Sequence, residues 1–155
     1  MLPILREPNP TLRQPSAPFD LQTLLQPETQ TWLDELTETM QVADGIGIAA
    51  PQTGTNKRVI IVQTGEGPKA FMNPKFFSAS LRKVESEEGC LSVPGVYGIV
   101  KRHKSVKVKA VDREGKKIML KADGLEAIIF QHEIDHLDGV LFIDKVERYT
   151  HPSRL

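Results

Sequence analysis

One cysteine, no net charge and no long apolar run are the first features of this sequence, and each excludes something. Cys90 has no partner for an internal disulfide, so nothing suggests an oxidising compartment. Lys+Arg and Asp+Glu number 20 each, so no global field argues for nucleic acid or an anionic membrane surface. No apolar stretch approaches the roughly 20 residues of a membrane span. Met1-Leu2-Pro3-Ile4-Leu5-Arg6 lacks the basic-then-apolar order of a secretory signal. Internal repeats and low-complexity segments are also absent. What remains is a chain of 155 residues, 39% apolar and 26% charged, expected to form one cytoplasmic globular domain over residues 1–155.

Six of the eleven prolines fall in residues 1–27, which predicts an extended, irregular arm lying along the body of the protein. From Glu28 to Ala43, Trp32, Leu33, Leu36, Met40 and Ala43 recur at helical spacing, and Asp44-Gly45 stops the helix. Arg58 to Val62 is a short β-branched run, and Ala70 to Pro74 reads as a strand ended by a turn. Ser105–Val111 alternates valine with lysine and pairs across Arg113-Glu114-Gly115-Lys116 with Ile118-Met119-Leu120. A second helix starts at Asp123, with Glu126 completing a capping-box pattern, and closes at Gly139. Strands followed by a helix, without βαβ alternation, predict an α+β domain.

That second helix carries His132-Glu133-Ile134-Asp135-His136, the H-E-x-x-H pattern. Positions four apart share a helix face, so both imidazoles can reach one ion, with Glu133 beside a bound water. A metzincin would place a third histidine where this chain has Phe142, so that reading fails. A thermolysin-like downstream carboxylate has poor support, because Asp138, Asp144 and Glu147 follow too closely. Cys90 is the remaining soft donor. A lone cysteine is more often a small buried hydrophobe, but here it sits in the turn-like Glu88-Gly89-Cys90-Leu91-Ser92.

Three blocks resemble the signature of the peptide deformylase family: Gly45-Ile46-Gly47-Ile48-Ala49-Ala50-Pro51-Gln52, Glu88 to Ser92, and Gln131 to Gly139. They occur in the family's order, and their combination is far more specific than any one alone. The resemblance implies antiparallel strands packed around a central helix that carries the H-E-x-x-H motif. It implies Cys90, His132 and His136 as metal ligands, Glu133 as proton acceptor, and the Gln52 amide and Leu91 N–H as donors to the tetrahedral intermediate. The substrate implied is an N-formyl-methionyl peptide. It would lie along Ile46, Gly47 and Gly89, with methionine against Leu125, Ile128 and Ile129, residues that serve equally well as core. Gln131 and Asp135 are expected to orient the ligands, and Asp138 to face solvent.

The cofactor implied is one divalent ion, ferrous iron in the family, while ligand softness also admits zinc, nickel or cobalt. The ribosome is the one further partner implied, transiently, for an enzyme otherwise expected to be a monomer with no membrane and no specific nucleic acid. Val96-Tyr97 stands where some members carry polar or basic residues, and Pro152 argues against the long C-terminal helix of many relatives. The run Lys101, Arg102, Lys104, Lys107 and Lys109 reads as a solvated strand face, with contact to ribosomal RNA as the alternative, and His103 and His151 read as surface residues. Two rivals stay open: a metalloendopeptidase built on the same helix, and a closed structural metal site without turnover.

Overall fold

The computed structural model describes residues 1–150; the expectations for His151 and Pro152 fall outside them. Helix α1 (Pro27–Val42) opens with proline in its first turn and buries Leu33, Leu36 and Met40. Strands β1 (Gly47–Ala49), β2 (Val59–Thr64) and β3 (Gly67–Ala79) follow, then β4 (Lys83–Cys90) and β5 (Val93–His103). The hairpin β6 (Ser105–Val111) and β7 (Lys117–Asp123) leads into helix α2 (Gly124–Leu137), and β8 (Arg148–Tyr149) is the last element described. All pairings between strands are antiparallel, in a sheet of order β1-β2-β3-β6-β7 and a smaller one of order β4-β5-β8. The α+β expectation is met.

The run Val59-Ile60-Ile61-Val62 is buried without alternation because helices cover both faces of β2. Ile60 and Val62 pack with Phe130 and Ile134 of α2, whereas Val59 and Ile61 pack with Leu33, Leu36 and Met40 of α1. Helix α2 is therefore the central element, with the larger sheet on one side and the β4–β5 hairpin on the other. Its buried positions combine five apolar residues with Gln131, Glu133 and His136, because protein surrounds it on nearly every side.

Several boundaries differ from the sequence reading. Strand β3 runs past Pro74 to Ala79, passing Asn73 at φ 50, where the Asn73 side chain accepts from Phe19 N–H at 2.7 Å. The β4–β5 hairpin carries no β-branched run and was not foreseen as strands. Cys90 thus ends a strand, rather than lying in a free turn. At the first turn of α2, Asp123 makes no side-chain cap, and Glu126 instead accepts from Gly65 N–H at 2.8 Å.

The arm over residues 1–27 is irregular apart from two short 3-10 turns. It is tied down by backbone bonds from Leu5 N–H to the Gln52 carbonyl (2.7 Å), from Glu7 N–H to that of Ser92 (2.9 Å) and from Ser16 N–H to that of Leu137 (2.7 Å). Leu36 is fully buried between α1 and the larger sheet. Leu36→Ala is expected to cost about 2–5 kcal/mol of stability, read from urea unfolding midpoints at unchanged m-value.

Candidate metal centre

Strand β4 and helix α2 meet where Cys90 faces the two histidines. One potential ligand atom from each of Cys90, His132 and His136 lies within 4.8 Å of the others, and Cys90 Sγ is 3.3 Å from His136 Nε2. Four residues separate the imidazoles along α2, and their rings meet edge to face at 5.1 Å. A thiol and two imidazoles converging this way form a donor set suited to a soft or borderline divalent ion. Glu133 is buried beside them, and its Oε2 has no hydrogen-bond partner in the protein. An acceptor left open there suits a water or substrate proton, so the residues present fit a catalytic ion.

The sequence reading missed the groups that hold the ligands. His132 Nδ1–H donates to Glu88 at 2.9 Å, which turns Nε2 toward the ligand cluster. Glu88 accepts two bonds from Arg102, at 2.8 and 2.7 Å, and Arg102 also reaches Asp135 at 2.7 Å. Arg102 is 2% exposed, so its place in the solvated basic run is corrected: neighbours such as Lys107 and Lys109 face water, but this guanidinium sits inside. Asp135 acts through Arg102 and does not contact an imidazole. Gln131 likewise does not orient the ligands; its amide joins α2 to the backbone of His103 at 2.8 and 2.9 Å. His103 Nδ1–H donates to the Ser80 carbonyl at 2.7 Å and the residue is only half-buried, and Asp138 is exposed and paired with Arg58. One faint signal for Glu88 was available: in Glu85-Ser86-Glu87-Glu88 it shares the strand face of Cys90 two residues on.

These contacts set the protonation of the site. Burial pushes Glu88 up, but the hydrogen bonds from Arg102 and His132 outweigh it and bring the carboxyl down to about 2. Burial holds Glu133 up at about 7, with the His132 charge pulling the other way. For His132, burial opposes the charged form, yet hydrogen bonds to Cys90 and Glu88 raise it to about 10 in the metal-free chain. Burial and the neighbouring His132 charge lower His136 well below its ordinary value. Metal ligands bind in their deprotonated forms, so a cation held by these residues would release protons on binding.

Gln52 is buried, not a surface amide. Its Oε1 accepts from Ala49 N–H at 2.9 Å, and its Nε2 donates to Ser92 Oγ at 3.1 Å with Cys90 Sγ 3.6 Å away. Both contacts fix the amide with its donor end toward the ligands; Ser92, like Glu88 and Arg102, was not singled out by the sequence. A cleft of about 440 Å³ opens over the cluster, lined by Ile46, Gly47, Gly89, Leu91 and the expected wall of Leu125, Ile128 and Ile129. Leu125 is 61% exposed at the rim, whereas Ile129 is 4% exposed at the floor. A Cβ on Gly47 would lie 2.5 Å from Glu133 Oε1, and one on Gly89 would lie 2.6 Å from the Tyr97 ring, so both positions need glycine. Between Glu88–Gly98 and Cys90–Val93 the hairpin register shifts, and the extra residues on β5 bring Val96 and Tyr97 to the cleft wall. Phe142, which replaces a possible third histidine, stacks on His132 at 6.0 Å.

Helix-borne H-E-x-x-H imidazoles, a strand thiol and a buried carboxylate define a metallohydrolase. Comparison with known proteins narrows this. The family model described as polypeptide deformylase matches residues 1–151. The chain is similar to the peptide deformylase of Halothermothrix orenii, 45% identical over 150 residues that cover 96% of this chain and 95% of that one. It superposes on the peptide deformylase of Synechococcus elongatus in complex with actinonin with TM-score 0.89 at 40% identity, over 95% of this chain and 79% of that one. A Met-Ala-Ser-bound class I type b peptide deformylase from Acinetobacter baumannii gives TM-score 0.89 at 34% identity, over 94% and 98% of the two chains. The chain belongs to the peptide deformylase family. It is a metal-dependent hydrolase that removes the N-formyl group from the N-terminal formylmethionine of newly synthesised polypeptides.

Removing the Glu88 charge tests the support of the site. Glu88→Gln should weaken metal binding by about 10–100-fold in competition with a chromophoric chelator. The folded pKa of Glu88, about 2, lies below its ordinary 4.5, so its ionised form favours the fold. That stabilisation is complete above about pH 4.5 and is lost as pH falls toward 2. Urea midpoints of metal-free protein should fall across this window, and fall less in Glu88→Gln.

Proposed function

We propose that Cys90, His132 and His136 hold one ferrous ion and that Glu133, Gln52 and Leu91 carry out the deformylation around it. The carrying observation is the approach of the three ligand atoms to within 4.8 Å beside a buried carboxylate whose Oε2 is unpartnered. The ion, when bound, supplies Lewis acidity that brings the pKa of a coordinated water toward neutrality. Glu133, held near pKa 7, is matched to taking a proton from the attacking water and returning one to the leaving amine. Water oxygen bonds to the formyl carbon, the C–N bond breaks, and formate and a free N-terminal amine result. The Gln52 amide and the Leu91 N–H donate to the tetrahedral oxygen; loss of one such donor typically costs about 10²–10³ in turnover.

The substrate extends along β1. This strand is the edge of the larger sheet and lines the cleft through Gly47, with Ile46 just before it, so a peptide can add to it as a further strand. The methionine side chain fills the space bounded by Ile128 and Ile129, with Leu125 at the mouth and Gly89 along the facing strand. Zinc, nickel and cobalt suit the same donors, and an iron–thiolate site is the more vulnerable to oxidation. We read residues 1–155 as one catalytic domain, cytoplasmic and monomeric, that meets the ribosome transiently. No helix among the described residues is long and apolar enough to cross a membrane.

Metal-replete protein incubated anaerobically should release formate from formyl-Met-Ala-Ser and leave Met-Ala-Ser intact. Glu133→Gln should keep its metal and lose about 10²–10⁴ in kcat; normal turnover by that variant would sink the general-base assignment. Cleavage of internal peptide bonds with activity retained in Cys90→Ser would favour an endopeptidase instead. Metal analysis after anaerobic purification should find iron at close to one ion per chain.

A further inference from the structure

The larger sheet has a face that α1 covers only in part. Val106, Val108 and Ala110 of β6 point into the core under α2, so Lys107 and Lys109 stand on the opposite side. Helix α1 packs on that side over β1 and β2. Beyond it, β3, β6 and β7 present Lys75, Lys107, Lys109, Lys117 and Lys121, all exposed. Asp123, at the far end, is the one carboxylate in these three strands.

The register makes like charges immediate neighbours. Lys75 opposes Lys109, and Lys107 opposes Lys121. Directly opposed like charges destabilise a sheet. The lysines in ion pairs among the described residues are Lys69, Lys101 and Lys145, none of which belongs to this array. An irregularity between Phe76 and Ser78 also leaves Phe77 42% exposed beside Lys109, whose Nζ is 5.1 Å from the ring centroid. Interspersed charges of both signs would keep such a face soluble without the repulsion. In a chain of zero net charge, this is a local segregation of one sign together with an exposed aromatic ring.

We propose that this face docks a single-stranded segment of RNA, whose phosphates neutralise the lysine array while an unstacked base lies against Phe77. Lysines on neighbouring strands stand roughly 5 Å apart and successive ones on one strand about 6.8 Å apart, so flexible ammonium groups can follow a phosphate backbone. Backbone phosphates with bases stacked on an aromatic ring are the chemistry of sequence-independent single-strand binding. Newly made polypeptides, the substrate class of this family, are produced alongside RNA, which selects RNA among polyanions. The array lies on the sheet face opposite α2, so docking leaves the catalytic cleft free. The inference is independent of the ligand and general-base assignments.

Full-length, metal-loaded protein is titrated against a short fluorescein-labelled oligouridine by anisotropy across a series of KCl concentrations. Saturable binding is expected, with a log–log salt slope of about −0.7 per neutralised phosphate and no steeper than about −3.5 for five. The double variant Lys107→Glu, Lys121→Glu should weaken binding at least about tenfold and remove about 1.4 from the slope. Phe77→Ala should weaken it at least about fivefold with the slope unchanged. Both variants should deformylate formyl-Met-Ala-Ser at the parent rate, which also reports an intact fold. The proposal is overturned if the parent shows no saturable binding at low salt or if the lysine variant binds equally well. Binding to phosphatidylglycerol vesicles with oligouridine ignored would equally overturn it, by making the face a lipid surface.

Discussion

The buried bidentate pair between Arg102 and Glu88 is the constraint on which the metal centre depends. Both residues belong to the β4–β5 hairpin, yet each has a second hold on α2: Glu88 through His132, and Arg102 through Asp135. Cys90 lies two residues beyond Glu88 on the same strand face, so the distance from thiol to imidazoles follows from how this cluster closes. Burying four ionisable groups is not a cheap way to stabilise a domain, since desolvation offsets most of the Coulomb gain. The arrangement provides geometry: it fixes one tautomer of His132 and one position for β4 over the helix.

Around that cluster the larger sheet supplies rigidity. Two helices bury β2 from opposite sides, and α2 has protein on nearly every side, so the face bearing the ligands has little freedom to tilt. The cleft is formed where this packing stops, between the free edge of β1 and the widened end of the β4–β5 hairpin. Glycine at 47 lets the substrate edge approach Glu133, while Gly89 makes room for Tyr97. The polar end of the site is thereby rigid, and its apolar mouth, at Ile46, Tyr97 and Leu125, is exposed.

Local periodicity made part of this legible. The H-E-x-x-H spacing and the β-branched run of β2 follow from short-range geometry, and α2 and α1 were readable to within a residue or two of their ends. The three signature blocks anticipated which side chains converge. Strand β4 was not readable, because half of Lys83 to Cys90 is charged and its exposed positions need no apolar partner. Arg102 looked like one more surface cation in a basic run; only the fold, which brings Glu88 and Asp135 to it from distant sequence, makes it interior. The Asp123 capping box failed for the same reason, since Gly65 of a neighbouring loop offered Glu126 a better donor. Partners brought in by the fold decided the cases of Arg102 and Glu126.

The bonds made by residues 5 to 16 carry a temporal implication. Amides near the start of the chain lock onto carbonyls at 52, 92 and 137, and β5 receives its last partner only at Arg148. During synthesis the amides of Leu5, Glu7 and Ser16 therefore wait for residues 52, 92 and 137 in turn before their partners exist. Long sequence separations of this kind make assembly slow. A partly translated copy already holds the thiol but lacks the imidazoles, so it has no competent centre with which to process anything. Catalytic competence cannot precede the arrival of His132 and His136.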